Sequence, residues 1–362
     1  MIEELKLAFD FLKMSNYRTV NRFPLRKYPL LSIPLWINEI DVFRKFLFRG
    51  NNLFSISLNP SIYLSIYYNK HLLILRDLFF LNKSFPLEIW GSLFPKDWIG
   101  RWQENNLLRE EEDKNLRFIY RVVPYDGHFF VTSRFERTEP HFTFLSYDSF
   151  YFASFLNKRL KSLSFGGEQA LDMCCGVGIQ AFAISQFSEE VIGVDINPNA
   201  VYLACINASI NQFRNCEFKN SSFFDGLNNS FDLIVSNPPF IFSENTDSKK
   251  FDSHGGEPFG LNITLALIKT IPDFLKDNGR AFIITRVPVF AEGDYLFNNL
   301  ANFLHKSFGF YYHYVSDSIV PLESFEMNVG IKRYRHIILE IFKGNQRKMM
   351  RYSYWHRRTS LF

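Results

Sequence analysis

Cysteine is scarce in this chain of 362 residues, and what there is forms no recognisable metal or disulfide pattern. All four cysteines lie between residues 174 and 216. They contain no CxxC pair and no Cys/His spacing of the kind that binds zinc, so no metal site is expected. Because there is no sign of a disulfide framework, a reducing cytoplasm is the expected location.

Long apolar runs and a signal pattern are also missing. The most apolar stretch, Leu72–Leu81, is interrupted by Arg76 and Asp77, which is incompatible with a membrane span. The first residues include Glu3 and Glu4, where a secretory signal needs basic residues. We therefore expect no membrane partner.

A strong excess of charge of either sign is absent too, since the net charge is only +4. The charge is uneven along the chain: residues 1–160 sum to +5, residues 161–342 to −7 and residues 343–362 to +6. Two basic segments around an acidic one favour contact with a polyanion, although mild segregation of this kind is also common in proteins that bind none.

Phenylalanine, in contrast, is abundant, with 42 residues against 17 Tyr and 5 Trp. With 47% hydrophobic residues the chain can bury enough apolar surface to fold. Its length exceeds that of one ordinary domain, so we predict two domains with well-filled cores.

Residues 1–160 predict a mainly helical domain that ends in a hairpin. The predicted elements are helices over 72–81, 86–93 and 95–108 and strands over 117–124 and 128–133. The turn Tyr125-Asp-Gly127 joins the two strands. This order of elements is that of a winged helix, a module that contacts nucleic acids or proteins. We expect this domain to present the substrate.

From about residue 165, short apolar strands alternate with helices. The predicted strands are 170–174, 191–194, Phe218, 231–236, 280–285, 311–315 and 336–342, and the predicted helices are 177–187, 198–211 and 263–275. Alternation of this type predicts an α/β fold, with a Rossmann-like, doubly wound sheet of seven strands in residues 161–342. Residues 343–362 are expected to form a basic, aromatic tail that suits phosphate contact and base stacking, or only solubility.

A glycine-containing turn and two acids point to a nucleotide ligand. Gly176 and Gly178 permit a tight turn and close approach of the backbone to a ligand. Asp195 ends the next strand, where a carboxylate accepts ribose hydroxyls, and Asp172 stands where it would meet a cationic amino-acid group. The glycines and the distant acid, taken alone, also fit dinucleotide binding.

The segment Asn237-Pro238-Pro239-Phe240 follows the predicted strand 231–236. An amide or aromatic amine is a poor nucleophile, because its lone pair is delocalised. The Asn237 side-chain oxygen and the Pro238 carbonyl would accept both N–H groups and direct that nitrogen. Phe240 offers a stacking face, and the two prolines stiffen the loop. An ordinary turn is the alternative interpretation.

In combination, Asp172, Gly176, Gly178, Asp195 and the segment 237–240 resemble class I S-adenosylmethionine-dependent methyltransferases. The closer likeness is to the branch with an Asn-Pro-Pro-Phe motif, which includes the small-domain, protein-glutamine and nucleic-acid N-methyltransferases. The resemblance extends over about half of the chain, and it implies S-adenosylmethionine as cofactor.

The resemblance also implies roles for single residues. The acid that matches Asp172 contacts the methionine amino end, and the acid that matches Asp195 binds the ribose. Ser222 matches a position near adenine at which Asp is common, and Cys174 replaces the usual first glycine of the turn. The implied cofactor-binding set is Asp172, Cys174, Gly176, Gly178, Asp195, Ser222 and Asn237, and the implied catalytic set is Asn237, Pro238, Pro239 and Phe240.

The predicted function is methyl transfer to a planar nitrogen of a macromolecule, RNA or protein, with RNA preferred because of the basic tail. Two alternatives stay open: methylation of a small metabolite, and a non-enzymatic winged-helix regulator that senses a nucleotide. The loop 243–260, which contains His254, is expected to close over the substrate as a lid or to be a plain connection.

Overall fold

The structure, a computed structural model, divides into two compact units. It describes residues 1–15, 17, 70–133, 143, 145, 147–227, 230–242, 254–317, 322–344 and 346–351. One unit contains Met1–Arg137 and Ser209–Gln212, and the other contains Thr138–Ala208 and Phe213–Leu361.

The first unit combines helices with two short hairpins around an aromatic core. Its elements are α1 (Ile2–Met14), α2 (Lys70–Leu75, continued by a π-helical turn, Arg76–Phe80), α3 (Leu87–Leu93), α4 (Lys96–Glu104), β1 (Leu108–Glu110), β2 (Leu116–Phe118), β3 (Arg121–Tyr125) and β4 (His128–Thr132). Pro86 and Pro95 directly precede α3 and α4, where proline costs no helical hydrogen bond. The buried rings of Phe79, Trp90 and Trp102 pack edge to face, Phe79 on Trp90 and Trp90 on Trp102, with centroids 6.0 and 6.4 Å apart.

The strand pairing in this unit differs from the predicted one. The expected strand 117–124 is two strands, of which β2 pairs with β1 and β3 pairs with β4 in separate two-stranded sheets. A polar turn separates β1 from β2: Lys114 adopts a φ of 60°, and the Asp113 carboxylate accepts a hydrogen bond from the Asn115 backbone N–H. The helix predicted over 95–108 is α4, and it ends at Glu104 because β1 begins at Leu108. The winged-helix assignment stays a prediction.

The second unit is an α/β sheet covered by helices. Its elements are α5 (Tyr147–Ser162), β5 (Gly167–Met173), α6 (Ile179–Ile184), β6 (Ser188–Asp195), α7 (Pro198–Asn211), β7 (Cys216–Asn220), β8 (Phe231–Ser236), α8 (Asn262–Phe274), β9 (Leu275–Phe290), β10 (Gly293–Asp294), α9 (Tyr295–Phe303), β11 (Phe308–Asp317), α10 (Ser324–Asn328), β12 (Arg333–Lys343) and β13 (Arg347–Arg351). The strand order is β7-β6-β5-β8-β9-β12-β11-β13, with β10 paired to β9. This confirms the predicted α/β, Rossmann-like class, but the described sheet has nine strands and not seven.

The sheet topology places a ligand crevice next to β5. Strands β5 to β9 run parallel, and the chain moves from β5 outward to β6 and β7 before it returns to β8 on the other side of β5. In open parallel sheets, ligands bind at the carboxyl ends of the strands where the order reverses in this way. Both faces of the sheet are covered, one by Phe152 and Phe155 of α5 and the other by Leu265 and Ile268 of α8.

The domain boundary lies earlier than residue 161, where the sequence placed it. Helix α5 belongs to the second unit, because its buried Phe152, Phe155 and Leu156 share a core with Leu233 of β8. Its aromatic side chains pack in the core of the sheet. The division between the two units therefore falls before α5, between Arg137 and Thr138.

The predicted tail also begins later than residue 343. Lys343 still belongs to β12, and β13 pairs in parallel with β11, so part of the basic segment is built into the sheet. Residues 352–362 of the tail lie outside the described residues. Within the described part of the chain, no helix has the length and apolar character to cross a membrane.

Candidate functional site

Asp172 is fully buried on β5 and incompletely hydrogen-bonded. Its Oδ2 accepts a hydrogen bond from the backbone N–H of Ala181, in the first turn of α6, at 2.8 Å. Its Oδ1 has no partner among the described residues. Burial raises the pKa of Asp172 well above its ordinary value, the bond from Ala181 opposes this, and the charge of Asp195 raises the pKa further. A cationic donor at Oδ1 would stabilise the ionised form, as the predicted ammonium group requires.

Asp195, at the end of β6, faces the turn that follows β5. Its Oδ2 accepts from the Gly176 backbone N–H at 2.8 Å, and its Oδ1 accepts from the Asn197 backbone N–H at 2.9 Å. A carboxylate has about four acceptor positions on its two oxygens, which suits it to hydroxyl groups. A Cβ added at Gly176 would meet nothing within 4 Å, so there is space beside this turn. The acids and the turn therefore fit a nucleoside that carries a cationic amino-acid group.

Two residues of the turn explain its unusual sequence. Gly178, with φ of 90°, directly precedes α6, and a Cβ there would lie 2.9 Å from the Phe182 ring and 3.0 Å from the Phe218 ring. Cys174 has a φ of 60°, a conformation that normally favours glycine. Burial raises the pKa of the Cys174 thiol, and the Asp195 charge adds to this effect. The thiol is therefore protonated at neutral pH and is unsuited to redox chemistry.

The segment of Ser222 is attached to the end of β6. The Asn220 side-chain amide and the Ser221 backbone N–H both donate to the Asp195 carbonyl, at 2.9 and 3.1 Å. Ser222 follows directly and is exposed. The chain thus brings Ser222 to the same edge of the sheet as Asp195, where the resemblance expects the adenine.

Asn237 is next to the glycine-containing turn because β8 is tied to β5. The Ser236 hydroxyl donates to the Met173 carbonyl at 2.8 Å. The Asn237 Nδ2 donates to Asp148 Oδ2 at 3.0 Å and to the Ser149 hydroxyl oxygen at 3.2 Å. Sequence reasoning missed both partners, because an Asp-Ser pair at the start of a helix is an ordinary capping signal.

Phe240, at the other end of the segment, contacts a residue that sequence reasoning also missed. Its ring centroid lies 6.2 Å from that of His336 on β12, at an interplanar angle of 74°. His336 has no signal in the sequence, because it belongs to a strand about one hundred residues farther along the chain.

Part of the predicted lid packs against the same segment. The Gly255 backbone N–H donates to the Ile241 carbonyl at 2.9 Å, and the loop approaches the Phe240 backbone closely at Gly260. The imidazole of His254 accepts a hydrogen bond from the Gly256 backbone N–H at 3.1 Å, which supports a role in shaping the loop. Residues 243–253 of the predicted lid lie outside the described residues.

Comparisons with known proteins match this part of the chain. Residues 148–293 match the family described as methyltransferase small domain. The chain is 27% identical, over 220 residues, to the ribosomal protein uL3 glutamine methyltransferase of Xanthomonas campestris pv. campestris. The aligned region covers 55% of this chain and 70% of that protein. It is 43% identical, over 86 residues, to the release factor glutamine methyltransferase of Aliivibrio fischeri, which covers 23% of this chain and 30% of that protein.

A similar solved structure is the 16S rRNA N2 G1207 methyltransferase of T. thermophilus in complex with AdoMet and guanosine. Its TM-score is 0.40 and its sequence identity 17%, over 67% of this chain and 61% of that one. Of the two sequence relatives, the match spans 70% of the uL3 glutamine methyltransferase but only 30% of the release factor glutamine methyltransferase.

Proposed function

We propose that the chain methylates the side-chain nitrogen of a protein carboxamide, and the match of residues 148–293 to the methyltransferase small-domain family supports this proposal. The family match and the relatives support the predicted class, an S-adenosylmethionine-dependent N-methyltransferase that acts on a macromolecule. The particular acceptor and the roles of single residues are our proposal.

The observation that carries the proposal is the position of the segment Asn237–Phe240. The bond from Ser236 to Met173 fixes its first residue beside the turn that approaches Asp195. When bound, S-adenosylmethionine supplies a methyl group on a positively charged sulfur. Asp172 would receive the ammonium group at its unpartnered Oδ1, and Asp195 would receive the ribose hydroxyls.

The acceptor nitrogen would lie at the segment 237–240. The Asn237 Oδ1 and the Pro238 carbonyl would each accept one N–H, which orients the nitrogen lone pair and favours the loss of amide planarity that transfer needs. No strong general base is required, because a methylated amide nitrogen that carries an extra proton is very acidic and loses it readily. Phe240 would cover one face of the carboxamide.

Protein is preferred over RNA as the acceptor for two reasons. Both relatives described above are named glutamine methyltransferases, one of ribosomal protein uL3 and one of a release factor. The basic segment that favoured RNA is partly the strand β13, which leaves less of it as a tail. RNA and small metabolites are the other outcomes of the test.

The test follows a labelled methyl group from S-adenosylmethionine into fractionated cell extract. We expect label in protein, released as methylamine by acid hydrolysis, which identifies a methylated carboxamide. The variant Asn237→Ala is expected to lose at least about 100-fold in turnover, comparable to the loss of an oriented polar group at a reacting centre. Cofactor binding should persist.

The matched control is Asn298→Ala, an exposed asparagine on α9. Label in RNA or in small molecules only would reject the protein acceptor. Unchanged turnover of Asn237→Ala would reject the proposed acceptor site.

A further inference from the structure

We propose that Asp148 and His336 are positioning residues for the two ends of the acceptor segment. Asp148 holds the side-chain amide of Asn237, and His336 packs against the ring of Phe240. Neither residue lies near this segment in the sequence, because Asp148 is in the first turn of α5 and His336 lies on β12. The inference rests on the proposed function, since it concerns how that site presents itself to an acceptor.

The partner of Asn237 fixes which end of its amide faces the substrate. A carboxylate only accepts hydrogen bonds, so the NH₂ end of the amide must face Asp148. The hydroxyl oxygen of Ser149, 3.2 Å from the same nitrogen, accepts the second hydrogen. Oδ1 is attached to the same carbon as Nδ2 and is therefore directed away from Asp148.

This orientation has a consequence for the reaction. An oxygen presented to the acceptor attracts its N–H group, whereas an NH₂ group would repel it. Without Asp148, rotation of the amide by 180° would exchange the two ends at little cost. A hydrogen bond to a charged acceptor is about twice as strong as one between neutral groups, which suits it to this purpose.

His336 completes the support at the other end of the segment. Its edge-to-face contact with Phe240 restricts where that ring can lie. On β12 it stands opposite Arg286 of β9. Removal from water lowers the pKa of His336 to about 4, Asp148 acts to raise the pKa and Arg286 to lower it. The imidazole is thus neutral at physiological pH and adds no positive charge next to a site proposed for a cationic cofactor.

The first experiment compares Asp148→Ala with the parent protein. Acceptor turnover should fall between about 10- and 100-fold, the range expected when a hydrogen bond to a charged group is lost. The effect should be mainly on kcat, and the dissociation constant of S-adenosylmethionine should change less than about 3-fold. Ser149→Ala, which removes the weaker partner, should lose less, and Asp273→Ala on the exposed surface of α8 is the matched control.

A second experiment tests the pairing independently of activity. The side-chain amide signals of Asn237 in a ¹H–¹⁵N NMR spectrum, assigned by their loss in Asn237→Ala, should shift in Asp148→Ala and not in Asp273→Ala. For His336, replacement by Phe should keep most of the turnover because the ring contact persists, whereas replacement by Ala should lower it about 10-fold or more.

The outcomes separate this inference from the proposed function. If the parent protein transfers no methyl group to any acceptor, the proposed function fails, while the NMR comparison still reports on the pairing. If the parent is active and Asp148→Ala keeps its kcat or leaves the Asn237 signals in place, the positioning role is wrong. Equal losses for His336→Phe and His336→Ala would overturn the ring-contact role of His336.

Discussion

At the scale of single residues, the two acids of the candidate cofactor site differ because their surroundings differ. Asp195 receives two backbone N–H groups, from Gly176 and Asn197, which stabilise its charge and fix its orientation. Asp172 receives one, is fully buried and has a raised pKa. In the proposed site, Asp195 would accept hydroxyl groups of the ribose and Asp172 would bind the ammonium group.

Asp195→Ala is expected to weaken the binding of S-adenosylmethionine. The substitution removes the hydroxyl acceptor and the partner of the Gly176 N–H, so the dissociation constant should rise by about 10- to 100-fold. Isothermal titration calorimetry measures it. Glu190→Ala is the control, because Glu190 is an exposed carboxylate on the same strand, β6. A dissociation constant within about 3-fold of the parent value would remove Asp195 from the cofactor site.

At the scale of elements, the connection between β8 and α8 supports the acceptor segment. Residues 254–260 are the last part of the predicted lid, and they lie against the backbone of Phe240 and Ile241. Gly260 has a φ of 82°, and a Cβ there would lie 2.5 Å from the Phe240 carbonyl oxygen. A glycine is therefore required by backbone conformation and by space.

Gly260→Ala should impair methyl transfer more than a substitution that only places alanine in a left-handed conformation. The matched control is Gly127→Ala, in the turn between β3 and β4, because Gly127 has a φ of 81° and open space around the added Cβ. Both changes carry the cost of a left-handed conformation, about 1–2 kcal/mol. Only the change at Gly260 also displaces the Phe240 backbone. Urea unfolding gives the loss of stability in each variant, and a methyl-transfer assay gives the turnover. An equal loss of turnover in Gly260→Ala and Gly127→Ala would contradict this expectation.

The strand β13 shows why a basic segment was misread as a tail. The residues around Arg347 and Lys348 show no alternation of apolar and polar side chains that would predict a strand. Charged side chains are nevertheless typical of a strand at the edge of a sheet. Pairing with β11 supplies the hydrogen bonds that the side-chain pattern does not indicate.

At the scale of the whole molecule, a buried charge cluster links one helix to three strands of the second unit. Glu340 of β12 is fully buried and accepts hydrogen bonds from Arg159 of α5, Arg280 of β9 and His313 of β11. The carboxylate is buried, which by itself raises its pKa, but the bonds from His313 and Arg159 prevail and lower the pKa of Glu340 from its ordinary value of 4.5.

The stability of the second unit should therefore fall in acid. In the unfolded chain Glu340 takes up a proton near pH 4.5, and in the folded chain it does so only at lower pH. Its contribution is present above pH 4.5 and is lost as the pH falls below that value. Urea unfolding at pH 7 and at pH 4 should show a smaller pH dependence for Glu340→Gln than for the parent protein. An equal dependence would show that other carboxylates determine it.

The predictions for the first unit have a different standing. The sequence predicted the starts of α3 and α4 and the β3–β4 turn correctly, because proline before each helix and the Asp-Gly turn are local signals, but it extended α4 beyond Glu104. It divided the strands wrongly, since pairing partners are not a local property. Substrate presentation by this unit stays a prediction.

The sequence by itself determined the class of the second unit, and it predicted which residues form its candidate site. Alternating apolar strands and helices specify a parallel sheet. Asp172 near the end of β5, Asp195 at the end of β6 and Asn237 directly after β8 are therefore expected at the same edge of that sheet. The placement of these residues at one edge could be predicted because a strand's direction fixes where its carboxyl end lies.

Only the tertiary structure decided what surrounds these residues. It assigned α5 to the sheet, placed β13 at the edge of the sheet, and brought Asp148 and His336 to the two ends of the acceptor segment. Contacts between residues about 90 to 100 positions apart depend on how helices and strands pack, and packing is set by the whole core and not by any local pattern. The scarcity of cysteine indicated only what the protein lacks, whereas these contacts indicate how its site is held in place.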